Sequence, residues 1–152
     1  MSLSENDLIP ELTLPTDSGR EFSLHSAKGK YMVIYFYPKD DTPGCTTESC
    51  DFRDMHQDFI KKNIVVIGVS KDSVKSHDKF KEKYELPFPL LSDESGQMCE
   101  AFGVWVEKSM YGKKYMGIDR STFLINPDCK IEKIWRKVKV PNHVQEVIAA
   151  LP

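Results

Sequence analysis

Residues 31–45 read Tyr31-Met32-Val33-Ile34-Tyr35-Phe36-Tyr37-Pro38-Lys39-Asp40-Asp41-Thr42-Pro43-Gly44-Cys45. The first seven are apolar or aromatic without a polar break, the pattern of a strand buried on both faces. The rest join that strand to a helix, because Phe52, Met55, Phe59 and Ile60 recur at spacings of three and four.

Ile64 to Val69 and Thr122 to Ile125 repeat the buried-strand pattern. The turn Asn126-Pro127-Asp128-Cys129-Lys130 leads into a further strand, about Ile131 to Val138, so this pair reads as a hairpin. Val74, His77, Phe80 and Tyr84 form a second helical stripe. Val144, Val147, Ile148 and Leu151 form a third, preceded by Pro141 and the cap candidate Asn142. A short helix is expected over Gln97 to Phe102. Asp17-Ser18-Gly19-Arg20 suggests a small N-terminal hairpin. Strands alternating with helices give an α/β class with a central mixed sheet.

The 152 residues suit a single domain over 1–152, and no repeat or low-complexity tract divides them. The apolar fraction is 40% and the charged fraction 29%, ordinary for a folded globular chain. A net charge of −2, with both signs interspersed, offers no basic face for nucleic acid. No apolar run approaches the ~20 residues that span a bilayer. Met1 to Pro10 lacks a basic region followed by an apolar one, so a cytoplasmic location is expected.

The cysteines are Cys45, Cys50, Cys99 and Cys129. In a reducing compartment they serve packing, metal binding or redox chemistry. Neither they nor His25, His56, His77 and His143 show paired zinc-ligand spacing. Cys45 falls in the first turn of the helix. There the free backbone N–H groups and the positive dipole end favour an anion, and a thiolate is one. The loop also lies at the carboxyl end of a sheet strand, where open α/β sheets place their sites. A packed cysteine is the plainer reading of the position alone.

Cys50 follows five residues later. In an intact helix the two Cα atoms stand about 8.7 Å apart, computed from the helical rise and rotation. A disulfide needs about 7 Å or less. If both cysteines serve one cycle, the first helical turns must unwind between its steps.

Pro38 to Cys45 resembles the P-x-x-x-T-x-x-C signature of peroxiredoxins, which have a thioredoxin-like fold. Thr47-Glu48 and Cys50 resemble the Q-type group, the bacterioferritin comigratory proteins. The likeness extends to Leu91-Ser92-Asp93, to Phe102-Gly103-Val104-Trp105, and to Gly117 through Ile125. It implies a thiol peroxidase acting on hydrogen peroxide and alkyl hydroperoxides. Cys45 would be the peroxidatic nucleophile, oxidised to a sulfenic acid. Thr42 would supply a hydroxyl to the peroxide, and Arg120 a permanent cation beside it. Pro38 would shield the pocket, and Cys50 would resolve the sulfenic acid as an intrachain disulfide. Thioredoxin or a similar dithiol would reduce that disulfide, with no bound cofactor. A monomer is expected.

Plainer readings stand beside these. Thr42 could be a helix cap and Arg120 a surface arginine. Cys99 reads as a packed thiol, with a back-up resolving role as the sharper reading. Cys129 occupies a turn position where similar sequences carry glycine, implying an exposed thiol or a strained φ. His77 reads as a packing residue. Phe102, Trp105 and Tyr111 read as core or pocket-mouth residues. A thioredoxin-like exchange protein would share the fold, but uses C-x-x-C where this chain has C-x-x-x-x-C. A redox sensor would share the thiolate and differ in turnover.

Overall fold

The computed structural model describes residues 3–152. In chain order the elements are β1 (Thr13–Pro15), β2 (Glu21–Ser23), β3 (Met32–Phe36), α1 (Pro43–Asp54), α2 (His56–Lys61), β4 (Val65–Ser70), α3 (Val74–Tyr84), β5 (Leu90–Ser92), α4 (Gln97–Ala101), β6 (Trp105–Met110), β7 (Lys113–Ile118), β8 (Ser121–Ile125), β9 (Ile131–Trp135) and α5 (His143–Ala149).

The main sheet runs β5-β4-β3-β8-β9. β3, β4 and β5 are parallel to one another, while β8 is antiparallel to β3 and β9 to β8. This is the mixed sheet expected. Every residue of β3 and β8 is buried, as continuous apolar strands in a covered sheet must be. Alternation splits the sheet into two cores. Ile34, Phe36, Ile67 and Phe123 pack with Met98, Phe102 and the N-terminal Ile9 and Leu14. Val33, Tyr35, Leu124 and Val66 pack on the opposite face with Cys45, Phe52, Phe59, Phe80 and Val144 of the helices.

The site-bearing helix is located by a size match in the sheet and by two contacts from Tyr35. Gly68 lies opposite Tyr35 in the β3–β4 register. A Cβ there would stand 2.8 Å from Cζ of Tyr35, so only glycine leaves room for the ring. The Tyr35 hydroxyl then hydrogen-bonds Ser49 of α1 at 2.9 Å, in a fully buried setting. The ring itself stacks on Phe52 at 4.5 Å between centroids.

Several expectations need correction. The single helix expected through Ile60 breaks at Met55, where φ is −103° and ψ 10°. The break lets both Phe52 and Phe59 reach the core, but turns Ile60 out to 51% exposure. The strand expected to Val138 ends at Trp135. The Val138 amide still donates to the Arg120 carbonyl at 2.9 Å. The strand pair β6–β7 has no counterpart in the sequence reading. Its residues are mostly exposed, and its turn places Tyr111 and Gly112 at φ 52° and 77°, the positive values of a tight hairpin turn. Tyr111 is therefore neither core nor pocket mouth, being 97% exposed, whereas Phe102 is core. Cys129 has the positive φ, 60°, that its turn requires, but its thiol is buried rather than exposed. The small N-terminal hairpin is present as β1–β2, turning through Asp17–Gly19.

Candidate active site

β3 ends at Phe36, and Tyr37, Pro38 and the loop to Thr42 carry the chain to the N-terminus of α1. Thr42 has extended φ and ψ, −94° and 155°, the geometry of a residue preceding a helix. Pro43 occupies the first helical position, where its missing N–H costs nothing. The first intrahelical bond runs from the Thr46 amide to the Thr42 carbonyl at 2.8 Å. The Gly44 and Cys45 amides precede it, in the turn whose N–H groups find no helical acceptor.

Cys45 is 1% exposed and points into the helix-side core. Arg120 comes from the junction of β7 and β8. Its backbone is fixed by the Val138 amide on its carbonyl and by β8 pairing immediately afterwards. Its Nη2 donates to the Cys45 sulfur at 3.4 Å, while Nη1 donates to Glu48 Oε1 at 2.7 Å. A permanent cation thus touches the thiol that sits at the positive end of a helix.

Glu48 entered the sequence reading only as part of the Q-type likeness, without a role in the site. It lies one turn after Cys45 on the same helical face, is completely buried, and leaves Oε2 without a hydrogen-bond partner among the described residues. Burial outweighs the stabilising charge and hydrogen bond of Arg120 and pushes its carboxyl up to about 7. The i, i+3 spacing from Cys45 was the available signal, but it does not name the partner.

Thr42 is half-buried, and its hydroxyl donates to the Lys39 carbonyl at 2.8 Å. It neither caps α1 nor bonds the Cys45 sulfur. Both hydroxyl lone pairs remain available to an incoming donor. Pro38 is exposed at the strand end. Cys50 is half-buried in α1, which is continuous from Pro43 to Asp54, so the two sulfurs sit on an intact helix as free thiols. Burial pushes the Cys50 thiol up, against a smaller opposing effect of Arg53. Cys99 belongs to the core on the other face of the sheet from Cys45. Burial raises its pKa strongly, and the Asp93 carboxylate adds to this.

Residues 6–134 match the model of the AhpC/TSA family. The chain belongs to that family. It is 53% identical over 151 residues to a peroxiredoxin Bcp of Bacillus subtilis, covering 99% of this chain and 96% of that one. A solved bacterioferritin comigratory protein of Xanthomonas campestris, studied for its alkyl peroxide reduction, superposes with a TM-score of 0.89. It shares 46% identity, over 95% of this chain and 96% of that chain. A PrxQ variant from Xylella fastidiosa superposes with a TM-score of 0.94 at 41% identity, over 98% and 95% of the two chains. The fold is that of the thioredoxin-like peroxiredoxins, and the protein is a thiol peroxidase that reduces peroxides at the expense of a thiol reductant. No helix among the described residues is long and apolar enough to cross a membrane.

Proposed function

We propose that Cys45 is the peroxidatic nucleophile and Cys50 its resolving partner, in one domain spanning 1–152 that acts on hydrogen peroxide and alkyl hydroperoxides. The observation that carries this reading is the 3.4 Å contact from Arg120 Nη2 to the Cys45 sulfur at the start of α1.

The Cys45 thiolate attacks one peroxide oxygen, and the O–O bond breaks. Sulfur loses two electrons and becomes a sulfenic acid, while the other oxygen leaves with a proton as water or alcohol. Arg120 offers donors to the charge growing on that oxygen. The Thr42 hydroxyl accepts a hydrogen bond from the peroxide, and Pro38 bounds the loop that carries it. Glu48 holds the guanidinium by a charge-assisted bond and so fixes its angle.

The second step needs α1 to open, because the helical spacing of Cys45 and Cys50 exceeds disulfide geometry. Unwinding brings Cys50 into water and removes the burial that raises its pKa. Its thiolate then displaces hydroxide from the Cys45 sulfenic acid, which leaves as water, and an S–S bond forms. A dithiol protein of the thioredoxin type reduces this bond in the cytoplasm, and the catalyst is a monomer.

The test is peroxide consumption with thioredoxin, its reductase and NADPH. Cys45→Ser should be inactive, and turnover retained in that variant ends the assignment. Cys50→Ser should undergo one round of oxidation and then stop. Full thioredoxin-linked activity in that variant would assign resolution elsewhere.

A further inference from the structure

His77 lies in the apolar stripe of α3 but does more than pack. It is wholly buried, and both ring nitrogens face oxygen. Nδ1 stands 2.7 Å from Asp40 Oδ2, and Nε2 stands 2.9 Å from the Leu91 carbonyl oxygen. A carbonyl oxygen only accepts, so Nε2 carries a proton. Asp40 Oδ2, which accepts from Ser76, is turned to the ring as an acceptor, so Nδ1 carries one as well. Asp40 collects two further donors, the Tyr37 hydroxyl on Oδ1 at 2.6 Å and the Ser76 hydroxyl on Oδ2 at 2.8 Å. Both Asp40 oxygens are thus already turned to hydroxyl donors before the ring is counted. The contacts are satisfied together by an imidazolium facing a carboxylate.

The ring is faced by Asp40 from the β3–α1 loop, by Asp72 after β4, and by Tyr37 at the end of β3. Burial pulls the His77 pKa down. The hydrogen bond and charge of Asp40, with smaller contributions from Leu91 and Asp72, outweigh that and raise it.

Asp40 is the anchor of the peroxidatic loop. Its amide donates to Asp72 Oδ2 at 2.8 Å. Asp41 follows at φ 58°, with its carboxylate held by Lys83 and Tyr84 of α3. Thr42 and α1 come next. The α3 helix therefore grips both residues that precede Thr42, and the Asp40 grip is the buried one.

We propose that His77 is a positioning residue for the peroxidatic site. Its imidazolium holds Asp40, and through it fixes the 39–42 loop and the first turn of α1, so that Cys45 meets peroxide beside Arg120. The proposal rests on Cys45 being the nucleophile. Because the same turn must open for Cys50 to reach Cys45, His77 also biases the site toward its helical state.

Two measurements test it. The first follows the ring nitrogens of the reduced, ¹⁵N-histidine-labelled protein by NMR as pH rises, with amide protection factors for residues 39–46. His77 should hold both ring protons at neutral pH. Its deprotonation at higher pH should coincide with lost protection in the loop and first helical turn. A neutral ring at pH 7, or a titration that leaves protection unchanged, overturns the proposal even if no variant folds. The second is single-turnover oxidation of His77→Gln. The peroxide step should slow about tenfold, as a shifted nucleophile would cause, while closure onto Cys50 quickens. If Cys45→Ser is inactive and His77→Gln oxidises at the wild-type rate, the proposal fails and the assignment of Cys45 stands. If Cys45→Ser still turns over, the assignment itself fails, and the NMR result alone judges the grip on the loop.

Discussion

Gly44 and Arg120 are packed so closely that a Cβ on residue 44 would stand 3.2 Å from Nη2 of Arg120, the same nitrogen that contacts the Cys45 sulfur. Gly44 is thus the wall against which the guanidinium rests. Gly44→Ala must push Nη2 aside by a few tenths of an ångström. Within a helix the same change gains about 0.5–1 kcal/mol, because alanine loses less conformational entropy. The expected outcome is a split between stability and activity. Thermal melting should show an unfolding midpoint equal to or above wild type. Stopped-flow oxidation should show a peroxide rate lowered about tenfold, as misplacement of a catalytic group predicts. An unchanged rate would remove Arg120 from the reacting centre.

Arg120 serves two acceptors with two nitrogens of one rigid plane. A lysine ammonium is a single point that cannot hold Glu48 and Cys45 in the same fixed geometry. Arg120→Lys should therefore keep the charge yet lose most of the peroxide rate, by about 10²-fold, in line with the loss of one preorganised donor. Steady-state assays should place the loss in kcat/KM for peroxide and leave KM for the dithiol protein unchanged. A lysine enzyme as fast as wild type would mean that charge alone suffices.

Glu48 ties stability to pH through its raised pKa of about 7 against an ordinary 4.5. The folded protein holds this proton more tightly than the unfolded chain does. The contribution is fully present below pH 4.5 and is lost as pH rises through 7, amounting to about 3 kcal/mol. Glu48→Gln keeps an oxygen for Arg120 but cannot ionise. Urea unfolding at pH 5 and pH 8 should show a smaller decline for the variant than for wild type. Equal declines would show that Glu48 is ionised throughout the range.

The sequence showed β3, β4, β8 and the three main helices because each presents an apolar face to a core, and such faces leave a periodic trace. The β6–β7 hairpin has no such face along most of its length, so Trp105–Met110 and Lys113–Ile118 left no trace to read. Cys45 was legible from its place in the first turn of a helix after a buried strand, whereas Thr42 and Arg120 were found through motif resemblance. The structure brings Cys45 and Arg120 together and turns the Thr42 hydroxyl to Lys39 instead. His77 was legible only as a position on a helical face, and Glu48 only as a residue of the Q-type likeness with no role attached. What makes each matter is a partner remote in sequence, 72 residues away for Glu48 and 37 for His77, and periodicity carries no record of partners.

The buried bond between Tyr35 and Ser49 joins the sheet to the helix between Cys45 and Cys50. With Cys45 and Cys50 in their proposed roles, residues 45–50 must leave helical geometry before a disulfide can form, so this bond favours the helical state over the open one. Ser49→Ala strands the Tyr35 hydroxyl in the core, at a cost of about 1–3 kcal/mol in the helical state. Much of that cost disappears once the helix opens and water reaches the hydroxyl. Global stability should fall, and the rate of disulfide closure after a stoichiometric pulse of peroxide should rise about tenfold, since 1.4 kcal/mol corresponds to one factor of ten. Quenched thiol labelling separates the two steps, because the initial loss of the Cys45 thiol should keep its wild-type rate. A variant that is less stable but closes no faster would show that the helix opens elsewhere than at its contact with Tyr35.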